Sequence, residues 1–244
     1  MTVTTESAPD RARTKGPAAP ESRLTLRPAA DEPQASSAAV VMLSDPPGAR
    51  AEAIRALRTH IMAQHVHAGR RALAICAASQ DVGCTFVAVN LAVALSQIGL
   101  GVLLIDANLR RPGVDAMLPA PRPGEGLGQA LAAQPANAGG YIQHDVLPGL
   151  SVMYSGGVAR NPQELLAGDG FRTLIDGCLR DFDVTIVDTP AANTCSDARR
   201  ISTVIGYSLI VARKDKSLIE DIKTLIGELV VDHARVVGTV LNEA

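Results

Sequence analysis

Six short, mostly apolar runs, each bounded by turn residues, punctuate this sequence at residues 71–78, 101–106, 150–154, 184–188, 208–212 and 236–241. Their length and near-continuous Ala, Val, Leu and Ile content predict buried strands rather than half-exposed ones. Between them lie stretches with helical spacing, such as 85–98, and an earlier helix carrying Ile54, Leu57 and Ile61 on one face with charge on the other. Strand alternating with helix predicts an α/β fold, a doubly wound and mostly parallel sheet. Residues 1–38 lack any sustained apolar period and are rich in Pro, Ala, Ser and Thr, so they are expected to form a disordered N-terminal arm, leaving one domain at 39–244.

Composition narrows the function classes. Aromatic residues make up 2% of the 244, with no Trp, which leaves little for stacking nucleobases. The net charge of -2 argues against a broad nucleic-acid footprint, although Arg110 and Arg111 form a local basic patch suited to phosphate. Cys76, Cys84, Cys178 and Cys195 are widely spaced and form no C-x-x-C pair, so neither a zinc site nor a disulfide framework is expected. No apolar run approaches the roughly 18 residues of a membrane span, and no signal peptide is evident. A cytoplasmic protein follows, peripheral to a membrane only through a partner.

In a doubly wound sheet, ligands bind beyond the C-terminal strand ends. The turn Ser79-Gln-Asp-Val-Gly-Cys-Thr85 lies there, between strand and helix, where backbone N–H groups and a helix N-terminus can hold phosphate. It occupies the place of the G-x-x-x-x-G-K-[ST] phosphate loop. Gly83 and the Thr85 hydroxyl match that pattern, whereas Ala78 fills the first glycine slot and Cys84 the lysine slot. Asp106 and Asp188 each end a strand, and two carboxylates beside a Thr hydroxyl are what a phosphate-bridging Mg²⁺ requires. Solvated or helix-capping aspartates are the alternative for either one alone.

Taken in order, several segments resemble one family. Glu52-Ala-Ile-Arg55-Ala-Leu-Arg58 matches its E-x-x-R-x-x-R oligomerisation motif, and Asn90-Leu-Ala follows the loop as it does there. Residues 103–112 (Leu-Leu-Ile-Asp-Ala-Asn-Leu-Arg-Arg-Pro) look like its second Walker segment. Residues 161–166 are similar to its N-P-x-E-L-L stretch and 182–190 to its Walker B strand. Ser196-Asp-Ala198, Val211-Ala-Arg213 and Val240-Leu-Asn242 are similar to its later motifs. The chain thus resembles the cytoplasmic domain of the bacterial tyrosine autokinases of capsule and exopolysaccharide synthesis, within the MinD/ParA-like P-loop NTPase class.

The resemblance implies ATP or ADP with Mg²⁺ as cofactors, the nucleotide held by Asp81, Val82, Gly83, Cys84, Thr85 and Phe86, with Arg213 and Asn242 near the base. It implies Thr85, Asp106 and Asp188 as metal-binding residues and Asp106 with Asn108 as catalytic. For Asn242 a strand-end turn is an equal alternative. Glu52, Arg55 and Arg58 would meet a neighbouring subunit in a homo-oligomeric ring, the alternative being a solvated helix face paired within itself. A membrane polysaccharide co-polymerase is the implied partner, placing the chain at the inner membrane.

The chain departs from the family where phosphate would react. Cys84 replaces the lysine, Gln80-Asp-Val82 a Pro-Gly-Glu segment, and Asn108 the second aspartate of an Asp-x-Asp pair. Asp81 adds negative charge where a γ-phosphate belongs, and the tyrosines are only Tyr141, Tyr154 and Tyr207, without a C-terminal cluster. Three readings follow: a kinase-like regulatory subunit with weak or lost nucleotide binding, an active tyrosine kinase using a cation from elsewhere such as Arg110 or a neighbour's Arg58, and a partition-type ATPase. Cys84 reads as a small neutral filler, with a reactive thiol at the helix N-terminus as the alternative.

Overall fold

A computed structural model describes residues 38–133 and 138–243. Nearly all of the expected arm lies outside the described residues, as do residues 134–137. Chain order begins with a single helical turn, α1 (Val41–Ser44), and the long helix α2 (Ala49–Gln64). Then come β1 (Ala72–Cys76), α3 (Cys84–Ser96), β2 (Val102–Asp106), α4 (Val114–Met117) and α5 (Leu127–Ala132). A hairpin of β3 (Gln143–Leu147) and β4 (Leu150–Met153) leads to α6 (Pro162–Ala167) and α7 (Asp169–Asp181). The chain continues with β5 (Val184–Asp188), α8 (Asp197–Ile205), β6 (Tyr207–Arg213), α9 (Ile219–Val231) and β7 (Arg235–Asn242).

The strands form one sheet in the order β3-β4-β2-β5-β1-β6-β7. Every pairing is parallel except β3 with β4. The six expected strands are therefore all present, within a residue or two of their predicted ends. β3 was not expected, because Gln-His-Asp-Val-Leu carries no apolar signature. As an edge strand it buries only Gln143 fully, so it needs none.

Each face of the sheet carries its own core. On one side α3 packs between α2 and the central strands, and it is buried continuously from Val87 to Ser96. A helix apolar on all sides belongs in the middle of a fold. On the other side α7 and α8 cover β2, β5 and β1 around Phe171, which is fully buried. Asn90, buried on α3, donates through Nδ2 to the carbonyls of Ala39 (3.0 Å) and Phe86 (2.9 Å). Its Oδ1 accepts from Met42 N at 3.3 Å, so one amide ties the segment around α1 to the helix after the loop.

Parallel register then delivers the site. β5 lies between β2 and β1, and Asp106 and Asp188 are directly paired at the last position of β2 and β5. The loop 77–83 leaves the C-terminal end of β1 beside them.

Candidate phosphate-binding site

Gly83 caps α3 in the left-handed conformation, φ 95° and ψ 28°. A Cβ at this position would run into the Asn242 side-chain amide, so both the backbone conformation and the space require glycine. Asn242 Nδ2 donates to the carbonyl of Val82 at 2.9 Å. Arg213 Nη1 and Lys216 Nζ donate to the carbonyl of Asp81 at 3.1 and 3.2 Å. In a trans peptide the C=O and N–H point opposite ways. Holding these two carbonyls from the β6 and β7 ends therefore fixes the N–H groups of Val82 and Gly83 toward the other side of the loop.

The cavity beside the loop has a volume of about 440 Å³. Residues 79–85, most of 108–113 and 189–191 form its walls, so Asp81, Val82, Gly83, Cys84, Thr85 and Asn108 are brought together there. Phe86 instead packs into the core around α3, and Arg213 and Asn242 grip the loop without lining the cavity.

Beneath the loop, Thr85 Oγ1 donates to Asp188 Oδ2 at 2.7 Å. Asp188 is fully buried, and its Oδ1 has no partner. Burial, and then the charge of Asp106, push its carboxyl well above the usual range, while the Thr85 hydrogen bond opposes this. Asp106 is 1% exposed. Its Oδ1 accepts from Asn108 N at 3.1 Å, and its Oδ2 from Gly113 N and Val114 N, both at 3.1 Å. Burial raises its pKa to about 6 in spite of these three bonds. Asp106 thus holds the 108–114 loop in place and does not face the cavity.

Cys84 places Sγ 3.8 Å from the carbonyl of Ile75. Burial, and then the charge of Asp188, push this thiol well above its ordinary value, so it stays protonated at neutral pH. The neutral filler expected from sequence fits this environment, and an activated thiolate does not. Arg110, weighed above as a substitute for the lysine, binds Asp197 in bidentate fashion at 2.7 and 3.3 Å. That carboxylate is only 1% exposed, which commits Arg110 to it.

The cations nearest the loop are different ones. Arg111 Nη1 lies 3.1 Å from Asp81 Oδ1 and Lys216 Nζ 3.8 Å from Asp81 Oδ2. Lys216 was missed in the sequence because it sits in the turn after β6, outside any motif; only the fold brings it to the loop. The three positions of the proposed ring motif, Glu52, Arg55 and Arg58, all lie on α2. Arg55 pairs with Glu52 at 2.9 Å and donates to the carbonyl of Pro46, and Arg58 donates to the carbonyl of Ala94 at 3.2 Å.

No protein-family profile matches the chain. Among solved structures it is similar to the kinase domain of Escherichia coli tyrosine kinase Etk, with 32% identity and a TM-score of 0.78 over 84% of this chain and 80% of that one. The chain belongs to the bacterial tyrosine kinase (BY-kinase) family. Full-length Etk from Escherichia coli K12 is 34% identical over 200 residues, 82% of this chain, which spans only 27% of Etk. The cell-division ATPase MinD of Pyrococcus furiosus is 25% identical with a TM-score of 0.62, covering 71% of this chain and 72% of MinD. The BY-kinase fold here is accordingly that of the MinD/ParA-like P-loop class.

A BY-kinase implies a nucleotide with Mg²⁺. The unpartnered, fully buried Asp188 Oδ1 beside the Thr85 hydroxyl suits a hard cation. Among the described residues no group of three His, Cys, Asp or Glu could cage a metal alone. Such an ion would therefore be shared between Thr85, Asp188, water and phosphate oxygens, as Mg²⁺ commonly is. The lysine slot does not match, since a protonated thiol supplies no positive charge.

Proposed function

We propose that this chain is a kinase-like regulatory subunit of exopolysaccharide or capsule export that works through a membrane co-polymerase of the chain-length-determinant type. On this reading it binds nucleotide weakly and transfers phosphate poorly. The observation that carries it is Cys84: the fold and the Thr85–Asp188 pair support a phosphate site, while the position that should supply a cation holds a half-buried, protonated thiol.

Each residue has a stated part. Backbone N–H groups at the start of α3 bind phosphate oxygens, with Gly83 allowing close approach. Thr85 and Asp188 would hold Mg²⁺, whose contribution when bound is to neutralise charge on the phosphates. Asp106 holds the 108–114 loop against the cavity. Phosphoryl transfer depends on preorganised positive charge, and losing one such group costs on the order of 10²–10⁵ in rate. Weak binding suits a subunit that acts by assembly, with Glu52, Arg55 and Arg58 on α2 as its proposed contact with further copies.

Calorimetric titration with ADP and with ATP, each with Mg²⁺, tests this on the wild type and on Cys84→Lys. The expected result is binding weaker than about 100 μM by the wild type, tightened at least about tenfold in Cys84→Lys, in line with roughly 1.4 kcal/mol or more from one added charge at the phosphates. Low-micromolar wild-type binding that Cys84→Lys leaves unchanged would contradict it and favour the active-kinase alternative.

A further inference from the structure

The site carries an anion of its own. Asp81 stands at the tip of the loop with φ 55°, a left-handed conformation that Asp and Asn tolerate better than most residues. Its carboxylate faces Arg111 at 3.1 Å and Lys216 at 3.8 Å, and its carbonyl accepts from Lys216 and Arg213. These cations come from two separate segments, the loop after β2 and the end of β6 with its following turn. Asp81 and Arg111 also line the 440 Å³ cavity beside the start of α3, while Lys216 reaches Asp81 from outside that cavity, on the β6 side of the loop.

We propose that Asp81 is a built-in anionic competitor that occupies the cations a polyphosphate needs, and that Lys216 and Arg111 together replace the missing loop lysine once Asp81 gives them up. This rests on the phosphate-site reading above and specifies its ligand class, a nucleoside di- or triphosphate or the corresponding inorganic polyphosphate. The Asp81 side chain is 57% exposed, Arg111 68% and Lys216 41%. Exposed ion pairs contribute little, so the competitor is readily displaced. It lowers affinity without closing the site, and it sets a preference: a ligand with several charges can engage both cations at once, whereas a single phosphate gains less than it displaces.

Asp81→Asn removes the charge, keeps the side-chain shape and suits the same left-handed backbone. The probes are inorganic tripolyphosphate and ADP with Mg²⁺, titrated calorimetrically at low and at physiological salt into the wild type, Asp81→Asn, Asp81→Asn with Lys216→Gln, and Cys84→Lys. We expect Asp81→Asn to tighten tripolyphosphate binding at least about fivefold at low salt and less at higher salt, as partly exposed charges require. Adding Lys216→Gln should abolish that gain. If Cys84→Lys binds ADP more tightly than the wild type while Asp81→Asn does not, the phosphate site stands and the competitor is refuted. If neither variant binds either probe, both the phosphate site and the competitor are refuted. A gain in Asp81→Asn that survives Lys216→Gln refutes the role given to Lys216.

Discussion

Asp188 sets the behaviour of the site at the level of single residues. Its carboxyl and that of Asp106 are buried side by side, and burial lifts both. The folded protein therefore keeps protons that the unfolded chain, with ordinary carboxyl values near 4, has already released. The stability held in these protons is complete below the ordinary carboxylate range; for Asp106 it is lost as the pH rises through about 6, and for Asp188 as the pH rises through that carboxyl's own raised value. Asp188→Asn can still accept the Thr85 hydrogen bond and carries no charge. Urea unfolding should find it more stable than the wild type at pH 8, by at least about 1 kcal/mol, the linkage cost of a carboxyl that burial has lifted. The advantage should shrink toward pH 4.5; an advantage independent of pH would contradict this account. The two aspartates and Thr85 were legible in the sequence because each stands at the end of a strand or the start of a helix. Asp106's turn toward its own loop was not, because it depends on three N–H groups that only the 108–114 conformation presents. Lys216 was equally hidden, being contributed by a turn whose approach to the loop is a tertiary event.

At the level of elements, the run of motifs has structural as well as functional causes. The Asn90-Leu-Ala string follows the loop as in the family pattern, and Asn90 makes three buried or part-buried hydrogen bonds that hold residues 39 and 42 and the first turn of α3. Asn90→Ala should cost about 2–3 kcal/mol in urea unfolding, since the buried groups it leaves lose their partners. Limited proteolysis should then show new cleavage between residues 38 and 48 that the wild type resists. Unchanged stability with unchanged proteolysis would show that the amide is dispensable. The helices and the six inner and outer strands of the α/β pattern followed from runs of apolar residues, whereas β3 was invisible because it pairs at an edge and buries little. The E-x-x-R-x-x-R string was legible as a motif, but not the fact that Arg58 reaches the carbonyl of Ala94 on α3, which links the proposed assembly face to the helix that begins at the loop.

For the whole molecule, a BY-kinase domain retains its sheet, its left-handed loop glycine and its Thr–Asp pair, while the lysine slot is filled by a protonated thiol. Among the described residues no helix is long and apolar enough to cross a membrane. None of the three tyrosines is exposed: Tyr154 is buried, Tyr141 packs against the core around Phe171, and Tyr207 lies under the Arg70 guanidinium. An acceptor must therefore be supplied from outside to test catalysis. The most direct measurement is phosphate transfer from labelled ATP with Mg²⁺ to a tyrosine-rich peptide, comparing the wild type with Asp188→Asn. Wild-type transfer is expected to be no faster than that of Asp188→Asn. Rapid tyrosine phosphorylation by the wild type, lost in Asp188→Asn, would contradict it and make the chain a working kinase that has found its cation elsewhere.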